Sequence, residues 1–277
     1  MNETSSAYWQ SALRGAPPYF VGVVNVTPDS FSDGGEYLNR DQAVAHAREL
    51  VADGAHIIEV GGESTRPGAL PITEAEEQER ILPVIEAIAR EAFISVDTYK
   101  AKTARLSLEA GARMINDVSA LRADPEMRDV LRMHGAPVVL MHSKESGTHP
   151  HVTAGGKEYR DIIQEASAFL RDRINFAIAG GVPAERIVVD PGMGRFLSPE
   201  SKYSWELLLR FHELGRSGIA APLLIAASRK GFLGGTLDGR DVRSQLAALI
   251  AVSRGATFVR THNVRLMREF WDAWRAQ

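Results

Sequence analysis

Eight short apolar runs in this 277-residue chain end in side chains that can hydrogen-bond or carry charge. The first, Val21–Val26, opens into Asn-Val-Thr-Pro-Asp-Ser-Phe-Ser-Asp-Gly-Gly at 25–35, a polar, proline-broken stretch that no core requires. It presents Asn25 and then Thr27, Pro28, Asp29, Ser30, Phe31, Ser32 and Asp33, which we expect to form a mobile loop. The later runs deliver Glu63, Ser64, Thr65 and Arg66, then Asp97, then Asn116 and Asp117, then His142. Asp190 follows, then Ser228, Arg229 and Lys230, and last Arg260 and His262. Carboxylates only accept hydrogen bonds, whereas an asparagine amide also donates, so this set can read a polar ligand. The cations suit an anion. Arg260 and His262 stand two apart and so share one face of a strand, which makes the pair weightier than either alone. Ser228 and Lys230 share that spacing and would point one way if their strand runs so far, leaving Arg229 to meet a helix as a salt-bridge partner.

The elements that must position these groups alternate regularly. Strands are predicted at Val21–Val26, Ile57–Gly61, Ile94–Thr98, Met114–Ser119, Pro137–His142, Ile187–Gly192, Leu223–Ser228 and Phe258–Val264. Helical spacing of apolar residues predicts helices at Asp41–Asp53, Thr73–Glu91, Lys100–Ala110, Asp124–Met133, Tyr159–Ala179, Lys202–Gly215, Asp241–Arg254 and Arg265–Arg275. Gly54, Gly111, Gly135 and Gly255 suit left-handed helix ends, and Thr73 with Glu76 suits a capped first turn. Eight such units with no Gly-x-Gly-x-x-Gly after any strand predict an α/β fold, a single (β/α)8 TIM barrel over 1–277 with its core at about 20–265. In that fold all strand ends meet on one face. A barrel built only for stability would carry polar ends on few strands, and here all eight do.

Bulk composition narrows the function class. The chain is 44% hydrophobic and 24% charged, with a formal net charge of −3, so it has no general attraction for nucleic acid or acidic membranes. An anion site must therefore be local. No cysteine is present, which removes disulfides and thiolate metal sites. No run reaches the roughly 18 apolar residues of a membrane span, and the N-terminal residues lack signal-peptide character, so a cytoplasmic protein is expected.

The motifs closely resemble those of the dihydropteroate synthase family. The matching segments are 25–35, Gly-Gly-Glu-Ser-Thr-Arg-Pro-Gly at 61–68, Ser-Val-Asp-Thr at 95–98 and Ile-Asn-Asp-Val-Ser-Ala at 115–120. Met-His at 141–142, Asp-Pro-Gly-Met-Gly at 190–194, Ser-Arg-Lys at 228–230 and Arg-Thr-His at 260–262 complete the order. The resemblance implies folate biosynthesis: condensation of 6-hydroxymethyl-7,8-dihydropterin diphosphate with p-aminobenzoate. It implies pterin contacts at Asp97, Asn116, Asp190 and Lys230, and diphosphate contacts at Asn25, Thr65, Arg66, Arg260, Thr261 and His262. Thr65, Pro67 and Ser228 would meet p-aminobenzoate, and Asn25 would hold Mg²⁺. Arg66, Lys230, Arg260 and His262 would be the catalytic set. The family is commonly homodimeric, and the apolar stripe Leu266, Met267, Phe270, Trp271 and Trp274 divides between barrel packing and such an interface.

Three positions depart from the family pattern. Arg195 stands where a phenylalanine would cover the pocket, Glu59 where aspartate is usual, and Asn263 where aspartate commonly follows the histidine. The wording at 190–198 resembles the sulfonamide-resistance branch, whereas 61–68 has the ordinary form. A methyltransferase acting on methyltetrahydrofolate would share the acid–amide pocket but has no use for Arg66, Lys230 and the Arg260–His262 pair. A pterin-binding paralogue without synthase activity is the other alternative, and turnover separates it.

Overall fold

The computed structural model describes residues 3–27, 36–64, 69–145 and 155–276. Eight parallel strands close on themselves in sequence order: β1 (Tyr19–Asn25), β2 (Ile57–Gly61), β3 (Ile94–Asp97), β4 (Met114–Asp117), β5 (Val138–Met141), β6 (Ile187–Asp190), β7 (Leu223–Ile225) and β8 (Ala256–Thr261). β8 pairs with β1 to close the barrel, as the alternation predicts. The strands are buried on both faces, which is why they read as runs of Val, Ile and Leu.

Around them lie α2 (Glu36–Ala52), α3 (Glu74–Ile88), α4 (Ala101–Glu109), α5 (Met127–His134), α6 (Ile162–Ala179), α7 (Ser201–Leu209), α8 (Phe211–Arg216), α9 (Leu237–Val252) and α10 (Val264–Arg275). The cap on α3 forms as expected: Thr73 Oγ1 accepts from Glu76 N at 3.2 Å, and the Glu76 carboxylate accepts from Thr73 N at 2.8 Å. All four glycines expected at helix ends have positive φ. The helix predicted over Lys202–Gly215 is two, α7 and α8. The break falls at Arg210, whose guanidinium bonds Glu206 at 2.7 Å, Glu213 at 2.8 Å and Asp161 at 3.0 Å.

An eleven-residue helix, α1 (Glu3–Leu13), is not among the elements that periodicity predicts. It shuts the lower end of the barrel. Trp9, fully buried, stands edge-on to Phe258 with ring centroids 5.0 Å apart. With Leu13 it joins an apolar layer of Tyr19, Val21, Ile57, Met114, Val188 and Leu224 inside the strands. The lower half of the barrel is therefore dry, and polar groups begin one pleat above it.

Candidate active site

Strand register builds the floor of the upper site. Asn25 on β1 pairs with Gly61 on β2, Gly61 with Asp97 on β3, and Asp97 with Asn116 on β4, so four strand ends lie in one row. Gly61 leaves a gap in that row. A methyl group there would stand 3.4 Å from Asp97 Cβ and 3.9 Å from Asn25 Oδ1.

Beneath the row, Glu59 is 1% exposed and accepts from Arg260 Nε at 2.5 Å and from Asn116 Nδ2 at 3.1 Å. Arg260 Nη2 also lies 3.4 Å from Asp97 Oδ2. Across the barrel, Asp190 Oδ1 accepts from Gly192 N at 2.7 Å. That turn needs glycine: φ is +76° and a Cβ would meet the His142 carbonyl oxygen at 2.3 Å. Lys230 Nζ donates to the Met193 carbonyl at 3.1 Å and stands 5.0 Å over the Phe196 ring.

These charges perturb each other. Burial, then the neighbouring Glu59 charge, raise the Asp97 carboxyl far above the usual carboxylate range, against the pull of Arg260. Burial also raises Asp190, with Lys230 opposing it. Burial pushes Lys230 down to about 8, against the pull of Asp190. The strand ends thus deliver two acids that resist ionisation and a lysine that sheds its proton easily, a pattern typical of functional sites.

The structure brings Asp97, Asn116, Asp190, Lys230 and Arg260 into one interacting cluster at the strand ends, with Asn25 in the row of Asp97. Thr65, Arg66 and Pro67, and the loop residues Pro28, Asp29, Ser30, Phe31, Ser32 and Asp33, lie outside the described residues; Thr27 lies within them.

Several expectations are corrected. Thr261, expected among the diphosphate contacts, is turned by alternation along β8 to the face opposite Arg260; it is 1% exposed, and its hydroxyl accepts from Asn263 N at 3.2 Å. Asn263 caps α10 instead of facing the pocket, its Oδ1 accepting from Leu266 N at 3.0 Å. β7 ends at Ile225, so Ser228 and Lys230 leave a turn in different directions. Lys230 reaches the pocket, and Ser228 Oγ lies 2.9 Å from His262 Nδ1. Arg229 does pair with a helix, meeting Asp241 of α9 at 2.7 and 2.9 Å.

Three other strand-end groups serve structure. Asp117 accepts from Ser119 and Leu121 backbone N–H groups at 2.8 Å each. His142 is buried against Phe169 and Tyr159, and burial lowers it to about 4. Glu63 pairs with Lys100 and accepts from Tyr99 at 2.9 Å.

Arg195 does not cover the pocket. It is exposed, while Phe196 beside it takes the position over Lys230. The short turn Gly194–Phe196 decides which of the two neighbours faces inward, and no strand or helix period reports that.

A family model described as pterin binding enzyme matches residues 21–262. A dihydropteroate synthase of Mycobacterium leprae is 41% identical over 262 residues, covering 90% of each chain. The chain belongs to the dihydropteroate synthase family. The Xanthomonas albilineans dihydropteroate synthase with 4-aminobenzoic acid superposes with a TM-score of 0.86 at 37% identity, covering 94% of this chain and 93% of that one. The same enzyme in complex with 7,8-dihydropteroate gives a TM-score of 0.82 at 35% identity, with the same coverage. The family match spans β1 to β8 and so takes in every pocket residue named above. The helix α1, which plugs the base, precedes it.

Proposed function

We infer that this chain catalyses the dihydropteroate synthase reaction of folate biosynthesis, joining 6-hydroxymethyl-7,8-dihydropterin diphosphate to p-aminobenzoate. The observation that carries this is the convergence of Asp97, Asn116, Asp190 and Lys230 on one pocket at the mouth of a family-matched barrel. Two carboxyls and an amide offer acceptors to the 2-amino and ring N–H groups of a pterin and a donor to a ring nitrogen.

In the reaction, proposed as a dissociative displacement, the carbon–oxygen bond to diphosphate breaks and its electron pair leaves with diphosphate, the aromatic amine bonds the exocyclic CH₂ left behind, and one N–H proton of the amine passes to solvent. The amine is unprotonated at neutral pH, so the step needs no strong general base. Charge building on the leaving group is the larger task, and Arg66 and His262 are proposed to stabilise it. Arg260, held on Glu59 and Asp97, is proposed to reach the diphosphate from the pterin side. Ser228, bonded to His262, is proposed to orient that imidazole as well as to meet the benzoate carboxylate.

Among the described residues no group of three His, Cys, Asp or Glu could hold a metal. The one oxygen donor proposed, Asn25, fits Mg²⁺, which keeps water and phosphate for most of its shell. Bound there with the diphosphate, the ion would supply charge neutralisation at the leaving group.

Diphosphate release that requires p-aminobenzoate, with dihydropteroate formed in step, is the expected result. Pterin binding without turnover would favour the silent paralogue. Arg66→Ala is expected to lower kcat by on the order of 100-fold or more while pterin affinity shifts little; unchanged kcat rules out the leaving-group role.

A homodimer and a cytoplasmic location are proposed on the same footing. Exposed apolar residues gather on α7 and α9: Trp205, Leu209, Val242 and Leu246 are 38, 54, 47 and 50% exposed. The two helices pack side by side, and α10 adds only Trp274 to the exposed set. A second copy would cover this face better than the α10 stripe. Light scattering is expected to give a dimer that Leu246→Asp converts to monomer; monomeric wild-type protein at micromolar concentration refutes it.

A further inference from the structure

Glu59 is a buried acid with both carboxylate oxygens on site residues: Oε1 on Arg260 and Oε2 on Asn116. Sequence reasoning marks it only as a departure from the family's aspartate. Its surroundings give it a sharper role.

An asparagine amide can face a ligand two ways round, and its two ends differ little in shape. A carboxylate neighbour removes the choice, because it accepts only and so must receive the NH₂ end. With Nδ2 committed to Glu59 at 3.1 Å, Asn116 turns its Oδ1 away from that partner. The same carboxylate anchors Arg260 through Nε, which leaves Nη2 beside Asp97 at 3.4 Å. One side chain, 1% exposed, therefore orients a ligand-reading amide and a cation on opposite sides of itself.

We propose that Glu59 is a positioning residue that sets the polarity of Asn116 and the placement of Arg260 for the pterin half of the substrate. This rests on the synthase reading above.

The test compares Glu59→Gln and Glu59→Asp with wild type in the coupled synthase assay and in direct titration with the pterin diphosphate. Glutamine fills the same volume but can donate to Asn116 Oδ1, which releases the amide to flip. Glu59→Gln is expected to raise the KM and Kd for the pterin diphosphate by roughly 30- to 100-fold, the range for a lost charge-assisted bond. The KM for p-aminobenzoate is expected to stay within about threefold. Glu59→Asp restores the charge and is expected to recover most of the pterin affinity.

A wild-type pterin KM in Glu59→Gln overturns the proposal. So does an equal rise in both KM values, the mark of a generally loosened barrel, or an aspartate variant as weak as the glutamine one. Wild-type protein that makes no dihydropteroate would sink the catalytic reading instead, and the direct titration still decides Glu59.

Discussion

Asp97→Asn is expected to cost on the order of 10³-fold in kcat/KM for the pterin substrate, because the amide would turn donors toward the donors of the ligand. A pocket built around a specific hydrogen-bond polarity rejects its mismatch far more strongly than a pocket loses from one missing contact. The variant should fold well. In the wild type, burial and Glu59 hold the Asp97 carboxyl far above its unfolded value, so the folded state keeps a proton that the unfolded chain gives up. Such a group withdraws stability as pH rises from its unfolded value toward its folded one. Replacing it with an uncharged amide removes that drain, so Asp97→Asn is expected to melt no lower than wild type at pH 8. Thermal unfolding and steady-state kinetics on one preparation check both halves. A variant both inactive and unstable would show Asp97 to be structural. The same pKa shift predicts that wild-type kcat/KM for the pterin keeps rising with pH well above the range of an ordinary carboxyl.

Trp9→Ala should produce the largest loss of stability, about 3–5 kcal/mol, the range for deleting a fully buried large aromatic. Trp9 is 0% exposed, and it touches Tyr8 and Phe258 edge-on at 5.0 Å each. It packs in one apolar cluster with Tyr19, Val21, Ile57, Met114, Val188 and Leu224 of the strands. At roughly 2–4 °C per kcal/mol for a chain of this size, the melting temperature should fall by roughly 6–20 °C. Activity per folded molecule should not change, because the plug and the pocket occupy opposite ends of the barrel. A melting shift under about 2 °C would mean that α1 is an ornament on a barrel that closes without it.

The sequence announced the strands and the acid–amide pocket because period and polarity coincide there. A run such as Ile94–Asp97 must be strand, and its end must face the mouth. Glu59 stood out only as a departure from the family's aspartate, and its partners were hidden for the opposite reason. It sits mid-strand, where the apolar pattern Ile-Ile-Glu-Val-Gly continues on both sides, and only its bond to Arg260, 201 residues later, gives it meaning. Thr261 was grouped with Arg260 by motif, although alternation along β8 already places neighbours on opposite faces, and Asn263 is taken up as the cap of α10. Phe196 and Arg195 depend on one short turn, which obeys no period. The helix α1 escaped because only two of its three buried residues, Trp9 and Leu13, are apolar, the third being Ser5, and two apolar residues make no pattern.

The pairing of β8 with β1 has a consequence in time. Trp9 finds Phe258, and Glu59 finds Arg260, only across most of the chain. During synthesis the first seven strands can gather while the plug at one end and the charge cluster at the other both lack a member. A single late strand supplies both, Phe258 downward and Arg260 upward. Completion of the shell and completion of the charge cluster around Glu59 thus fall to the same strand.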